Sequence, residues 1–171
     1  MTTNRDATLQ GLIQHEWPKL RRFFRTKVAD GDVLDLVQNT MLAYVEGHPE
    51  PGCERQYLWG IARKQVLKHY AKFRGENEPF DSTVHRATDV GPTLSSRLDR
   101  RNQVVNALLT LPADQQMAIE LRYCEGLQLE EVAASLDVSL ATVKRYLSAA
   151  EERLRVQIGG VHAIADGYRK L

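Results

Sequence analysis

The sequence predicts an all-α fold: two small helical domains joined by a flexible linker, the second one a helix-turn-helix. Three observations carry that prediction. Apolar residues recur at helical spacing over most of the chain, and no stretch alternates with the period of a half-buried strand. Residues 76–99 lose that periodicity and contain Pro79, Gly91, Pro92 and several Ser and Thr, as a tether does. Leu129 to Arg155 read as two helices around a short turn. The boundaries that follow are 1–75 for the first domain, 76–99 for the linker, 100–158 for the second domain and 159–171 for a short tail.

The first predicted helix covers residues 7–28. Leu9, Leu12, Ile13, Trp17, Leu20, Phe23, Phe24 and Val28 form its apolar face, with Arg21, Arg22, Arg25 and Lys27 towards the other. Pro18 is expected to kink or restart it. Residues 30–32 read as a turn, and Asp32 as the cap of a second helix that runs to about Glu46. Val33, Leu36, Val37, Met41, Leu42 and Val45 are its expected inner set, while Asp35, Gln38 and Asn39 lie on a different face. Gly47, Pro49, Pro51 and Gly52 make a loop.

A third helix spans about Arg55 to Phe73, with Leu58, Ile61, Ala62, Val66, Tyr70 and Phe73 inward. Lys64, Lys68 and Lys72 recur every four residues, with Arg63 and Arg74 close by. Like charges at that spacing repel, so a bound polyanion would relieve a cost that water alone only screens. A solvated lysine face accounts for the stripe equally well.

Beyond the linker, a helix on Leu98, Val104, Val105, Leu108 and Leu109 ends at Leu111-Pro112, and another follows to Glu125 with Gly126 as its C-cap. In the helix-turn-helix, Leu129, Val132, Ala133 and Leu136 form one apolar face, and small Ala133 lets a second helix cross closely. Asp137 occupies the turn, where its short polar side chain tolerates a left-handed backbone. Ser139 offers an N-cap oxygen, and Val143, Leu147, Ala150 and Leu154 turn inward. Ser139, Ala141, Thr142, Lys144, Arg145 and Ser148 are left outward near the helix start, the arrangement a helix needs to read the major groove.

Composition excludes several classes. The chain has 171 residues, 43% hydrophobic and 26% charged, so it is globular. The net charge of +1 conceals an uneven distribution: net +4 over residues 1–75, −3 over 76–99 and 0 over 100–171. Cys53 and Cys124 are far apart and lack CxxC partners, so neither a disulfide framework nor a cysteine zinc site is expected. His15, His48, His69, His85 and His162 show no metal spacing, and no Gly-rich phosphate loop occurs. No cofactor, metal or catalytic group is expected. No signal-like segment or membrane-length apolar run is found, which makes a cytoplasmic protein without membrane insertion the expectation.

The ordered motifs resemble those of bacterial RNA polymerase sigma factors of the sigma-70 family. Asp35 to Leu42 resembles their polymerase-binding helix, and Tyr57 to Arg63 their promoter-melting helix. Residues 109–112, 121–127 and 130–144 resemble their C-terminal DNA-reading domain. The two-domain layout resembles the extracytoplasmic-function (ECF) group. The resemblance implies that Asp35, Leu36, Gln38, Asn39 and Met41 contact core RNA polymerase. It also implies that the loop at 47–56 holds a flipped base of the −10 element. Tyr57, Trp59, Arg63, Lys64, Lys68 and Lys72 would then serve melting and phosphate contact, and Ser139, Ala141, Thr142, Lys144, Arg145 and Ser148 would meet the −35 element. An anti-sigma factor is a further implied partner. Lys64 stands where the family commonly has Asn, and Tyr146, Ser148 and Ala149 leave the reading helix with fewer charges than usual. The alternative function is a free-standing helix-turn-helix regulator that does not bind polymerase.

Overall fold

The computed structural model of the chain describes residues 2–74 and 96–168. Every regular element in them is helical. The N-terminal half contains α1 (Thr2–Arg25), α2 (Asp30–Gly47) and α3 (Glu54–Arg74). The C-terminal half contains α4 (Ser96–Leu109), α5 (Ala113–Ile119), a π-helical turn (Glu120–Cys124), α6 (Leu129–Leu136), α7 (Leu140–Ile158) and α8 (Val161–Tyr168). The expected linker falls mostly on residues 75–95, outside the described residues, as do the side chains of Phe73, Arg74 and Leu98.

Helix α1 continues through Pro18 without the expected break. The lost backbone bond and ring clash cost about 3 kcal/mol. Leu20, Phe23 and Phe24 on the next turns are fully buried, and their packing holds the helix together. Helix α2 starts at Asp30 rather than after Asp32, and Ala29 at its cap position makes no side-chain bond. Asp30 and Asp32 lie instead in the first turn, where carboxylates favour the positive end of the helix dipole.

The helix-turn-helix follows its sequence. Asp137 adopts φ +54° at the turn. Ser139 Oγ accepts the Thr142 N–H at 3.2 Å. Val143, Leu147, Ala150 and Leu154 are buried. Residues 159–171, read as a weakly patterned tail, include α8, whose Ile164 and Tyr168 are fully buried. Their spacing with Val161 is that of one helix face.

The two small helical domains also pack on each other. Helix α6 packs along α3, and buried residues of both halves join one hydrophobic core. Each half alone is near the size at which a single core is marginal, so mutual packing supplies what each lacks.

Candidate functional site

Helix α2 presents the first candidate surface. Asp35, Gln38 and Asn39 are exposed, as expected. Leu36 and Met41, expected at the same surface, are buried in the core and cannot be reached there. The large apolar side chains on the outside are Leu34, Leu42 and Val45, at 50%, 58% and 40% exposure. The apolar set of α2 covers more than one stripe, so periodicity alone could not say which edge faced solvent.

Helix α3 presents the second. Lys64, Lys68 and Lys72 are exposed along it. Tyr57 lies at its start, with its ring centroid 6.1 Å from that of Tyr44. Its hydroxyl occupies the space a Cβ at Gly47 would need, so the absent side chain there makes room for the ring. Trp59 departs from expectation. It is fully buried, its ring edge-on to Phe23 at 5.3 Å between centroids. It anchors α3 on α1 and does not meet nucleic acid in this arrangement. Arg63 is also taken, with Nη2 3.7 Å from Asp114 of α5.

The third surface is the outer face of α7. Ala141, Lys144, Arg145 and Ser148 are exposed and Thr142 is half-buried. Arg145 Nη2 donates to Thr142 Oγ1 at 3.2 Å, and Ser139 and Thr142 hydroxyls are 2.9 Å apart. This short polar network fixes the side chains at the helix start. Its neighbours Lys144 and Ser148 remain open to solvent.

Between these surfaces runs a polar seam. Lys27 Nζ donates to Glu120 Oε2 of the π turn. The other oxygen of Glu120 accepts from Thr26 Oγ1 at 2.9 Å and Gln116 Nε2 at 3.1 Å. Arg22 Nη2 lies 3.6 Å from Glu125, and Arg55 donates to the Glu125 carbonyl. Burial, only partly offset by Arg22 and Lys19, pushes the Glu125 carboxyl up to about 7. Ser135 Oγ of α6 donates to the Gln56 carbonyl of α3 at 3.1 Å, next to Gly60, where the two backbones come close. In each of the ion pairs Lys27–Glu120, Arg22–Glu125 and Arg63–Asp114, the cation comes from the N-terminal half and the anion from the C-terminal half. Sequence reasoning did not find this seam, whose hydrogen-bonded partners from the two halves lie between 70 and 94 positions apart, with 93 between Lys27 and Glu120.

The family described as Sigma-70, region 4 matches residues 101–154, which hold the helix-turn-helix. The ECF RNA polymerase sigma factor SigF of Caulobacter vibrioides is 30% identical over 149 residues, covering 80% of this chain and 80% of the relative. The chain belongs to the ECF RNA polymerase sigma factors. The ECF RNA polymerase sigma-E factor of Salmonella typhimurium is likewise 30% identical over 142 residues and 74% of each chain. The fold of this sigma factor is also that of the sigma factor RpoE of Bartonella quintana, crystallised with the anti-sigma factor NepR. That match has a TM-score of 0.65 at 24% identity and covers 87% of this chain and 95% of that chain. Membership favours a promoter-specificity factor over a free-standing regulator. Among the described residues no helix is long and apolar enough to cross a membrane, and no cluster of His, Cys, Asp or Glu could hold a metal ion.

Proposed function

We propose that this sigma factor docks on core RNA polymerase through the exposed face of α2 and directs promoter-specific initiation with α3 and α7. The observation that carries the reading is the α2 face itself. Leu34, Leu42 and Val45 stand out beside Asp35, Gln38 and Asn39 on a helix whose other side is fully packed. Exposed apolar groups mixed with polar ones at helical spacing suit a helix-to-helix contact with a large partner.

Tyr57, Lys64, Lys68 and Lys72 form the −10 surface. The lysines track phosphates without reading sequence, and Tyr57 supports the opened strand. Arg63 joins them only once Asp114 has moved away. Ser139, Ala141, Thr142, Lys144, Arg145 and Ser148 form the −35 surface. Residues 1–75, 76–99 and 100–158 serve as polymerase-binding and melting domain, linker and −35 domain. The protein acts in the cytoplasm, is not an enzyme, and has an anti-sigma factor as a regulatory partner. In support, the structural relative from Bartonella quintana was crystallised with one.

The test is run-off transcription with core polymerase, alongside a competition assay for polymerase binding. Gln38→Ala together with Leu42→Ala is expected to lower affinity at least tenfold, the equivalent of about 1.4 kcal/mol. Wild-type affinity in that variant would remove α2 from the contact.

A further inference from the structure

Helix α8 lies beyond residues 101–154, the part that matches the region 4 family. It follows Gly159 and Gly160, whose φ values of +80° and +118° reverse the chain sharply at the end of α7. Both values lie where a side chain would be strained, so this reversal depends on glycine. The reversal lays α8 back on α4, α7 and the π turn.

At the end of α8 sits Tyr168, fully buried. The Arg22 guanidinium of α1 lies over its ring, 5.9 Å from the centroid. Arg22 is also the partner of Glu125 on the π turn. One side chain of the N-terminal half thus holds two elements of the C-terminal half. The Tyr168 hydroxyl has no hydrogen-bond partner among the described residues. A buried hydroxyl left so costs free energy that water would return on exposure. The contact is favourable through its ring and unfavourable through its hydroxyl, which makes it releasable.

We propose that α8 is a latch. Seated on Arg22 by Tyr168, it holds the C-terminal half against α1 and keeps α6 over α3. While it is closed, Ser135 sits on Gln56 and Asp114 occupies Arg63, so part of the α3 surface is covered. Release of α8 frees Arg22, weakens the grip on Glu125 and lets the halves separate. The regulatory consequence rests on the polymerase reading above; the latch itself does not.

The experiment uses the full chain. Small-angle scattering reports the separation of the halves, and mass spectrometry follows alkylation of Cys124. That thiol is buried at the end of the π turn, whereas Cys53 is partly exposed and gives a separate reference. Tyr168→Ala is expected to enlarge the radius of gyration and speed Cys124 alkylation about tenfold, the scale of a desolvated cation–π contact. Arg22→Gln, which leaves the contacts of α8 within its own half intact, is expected to do the same. Tyr168→Phe keeps the ring, removes the unpartnered hydroxyl and is expected to stay closed. Far-UV circular dichroism confirms that each variant is folded. Wild-type scattering and alkylation in folded Arg22→Gln would overturn the latch. If the variants open but bind core polymerase no better than wild type, the latch stands and the polymerase reading loses support.

Discussion

Lys27 and Glu120 form an ion pair that is almost wholly out of water and joins the two halves of the chain. Lys27 also donates to the Phe23 carbonyl at 3.0 Å, and its ammonium lies over the Phe23 ring. Glu120 receives Thr26 and Gln116 as well. Desolvating two charges is expensive, so such a pair adds little over a well-packed apolar contact. It does penalise any arrangement in which either charge is left alone.

Glu120→Ala is therefore expected to destabilise the fold by about 3–5 kcal/mol, since it strands a buried ammonium. The double variant Lys27→Met, Glu120→Leu should recover most of that loss. Urea unfolding of the single and double variants checks both statements. A single variant as stable as wild type would show that the seam opens freely to water.

Glu125 gives the fold a pH dependence. Its carboxyl titrates near 7 in the fold against 4.5 normally, so the folded chain holds a proton that the unfolded chain has released. The groups facing it are Glu16, Lys19 and Arg22 from α1, Glu120 from the π turn and Tyr168 from α8, while Arg55 of α3 holds its carbonyl. Its contribution is fully present below about pH 4.5 and is lost as the pH rises through 7. The shift corresponds to about 3 kcal/mol at most. Unfolding midpoints should fall between pH 5 and pH 8, and Glu125→Gln should flatten that slope while raising stability at the alkaline end. An equal slope in the variant would assign the titration elsewhere.

Asp137 carries backbone strain at φ +54°. Asp137→Gly removes the Cβ from a left-handed position and is expected to raise stability by up to about 1 kcal/mol, read as a higher melting temperature. A lower melting temperature would mean that the added freedom of the unfolded chain outweighs the relieved strain.

On α7, Lys144→Ala with Arg145→Ala should weaken duplex binding and relax choice at the −35 element. A good base contact is worth about 1–3 kcal/mol. Reporter transcription from a promoter library checks this, and an unchanged preference profile would remove both residues from recognition.

The elements whose stability is local were legible in the residues. Ser139 and the Val143, Leu147, Ala150, Leu154 stripe announce α7 because cap and face sit within a few turns of one another. Trp59 was misplaced because its environment is set by Phe23 on another helix, which no local pattern reports. On α2, Leu36 and Met41 are inward as their spacing predicts, which takes them from the surface the resemblance implied, whereas Leu42 and Val45, also expected inward, face out because the apolar set is too wide to orient the helix. Helix α8 had its signal in Val161, Ile164 and Tyr168, but a short segment after two glycines cannot be told from a frayed end until α4 and the π turn are seen beneath it. The seam joining the halves had no sequence signal, since charged residues usually face water.

The uniform direction of the three ion pairs at the seam has a bearing on how the folded chain meets a polyanion. With Lys27 and Arg63 already matched by carboxylates of the same molecule, and Arg22 by that of Glu125 above about pH 7, no condensed counterions on DNA can be displaced by them. Among the described residues, duplex affinity in dilute buffer is then carried by exposed cations such as Lys64, Lys68, Lys72, Lys144 and Arg145, and its dependence on salt concentration is shallower than a count of all cations would suggest. That dependence should steepen once the halves part and those three cations become available to phosphate.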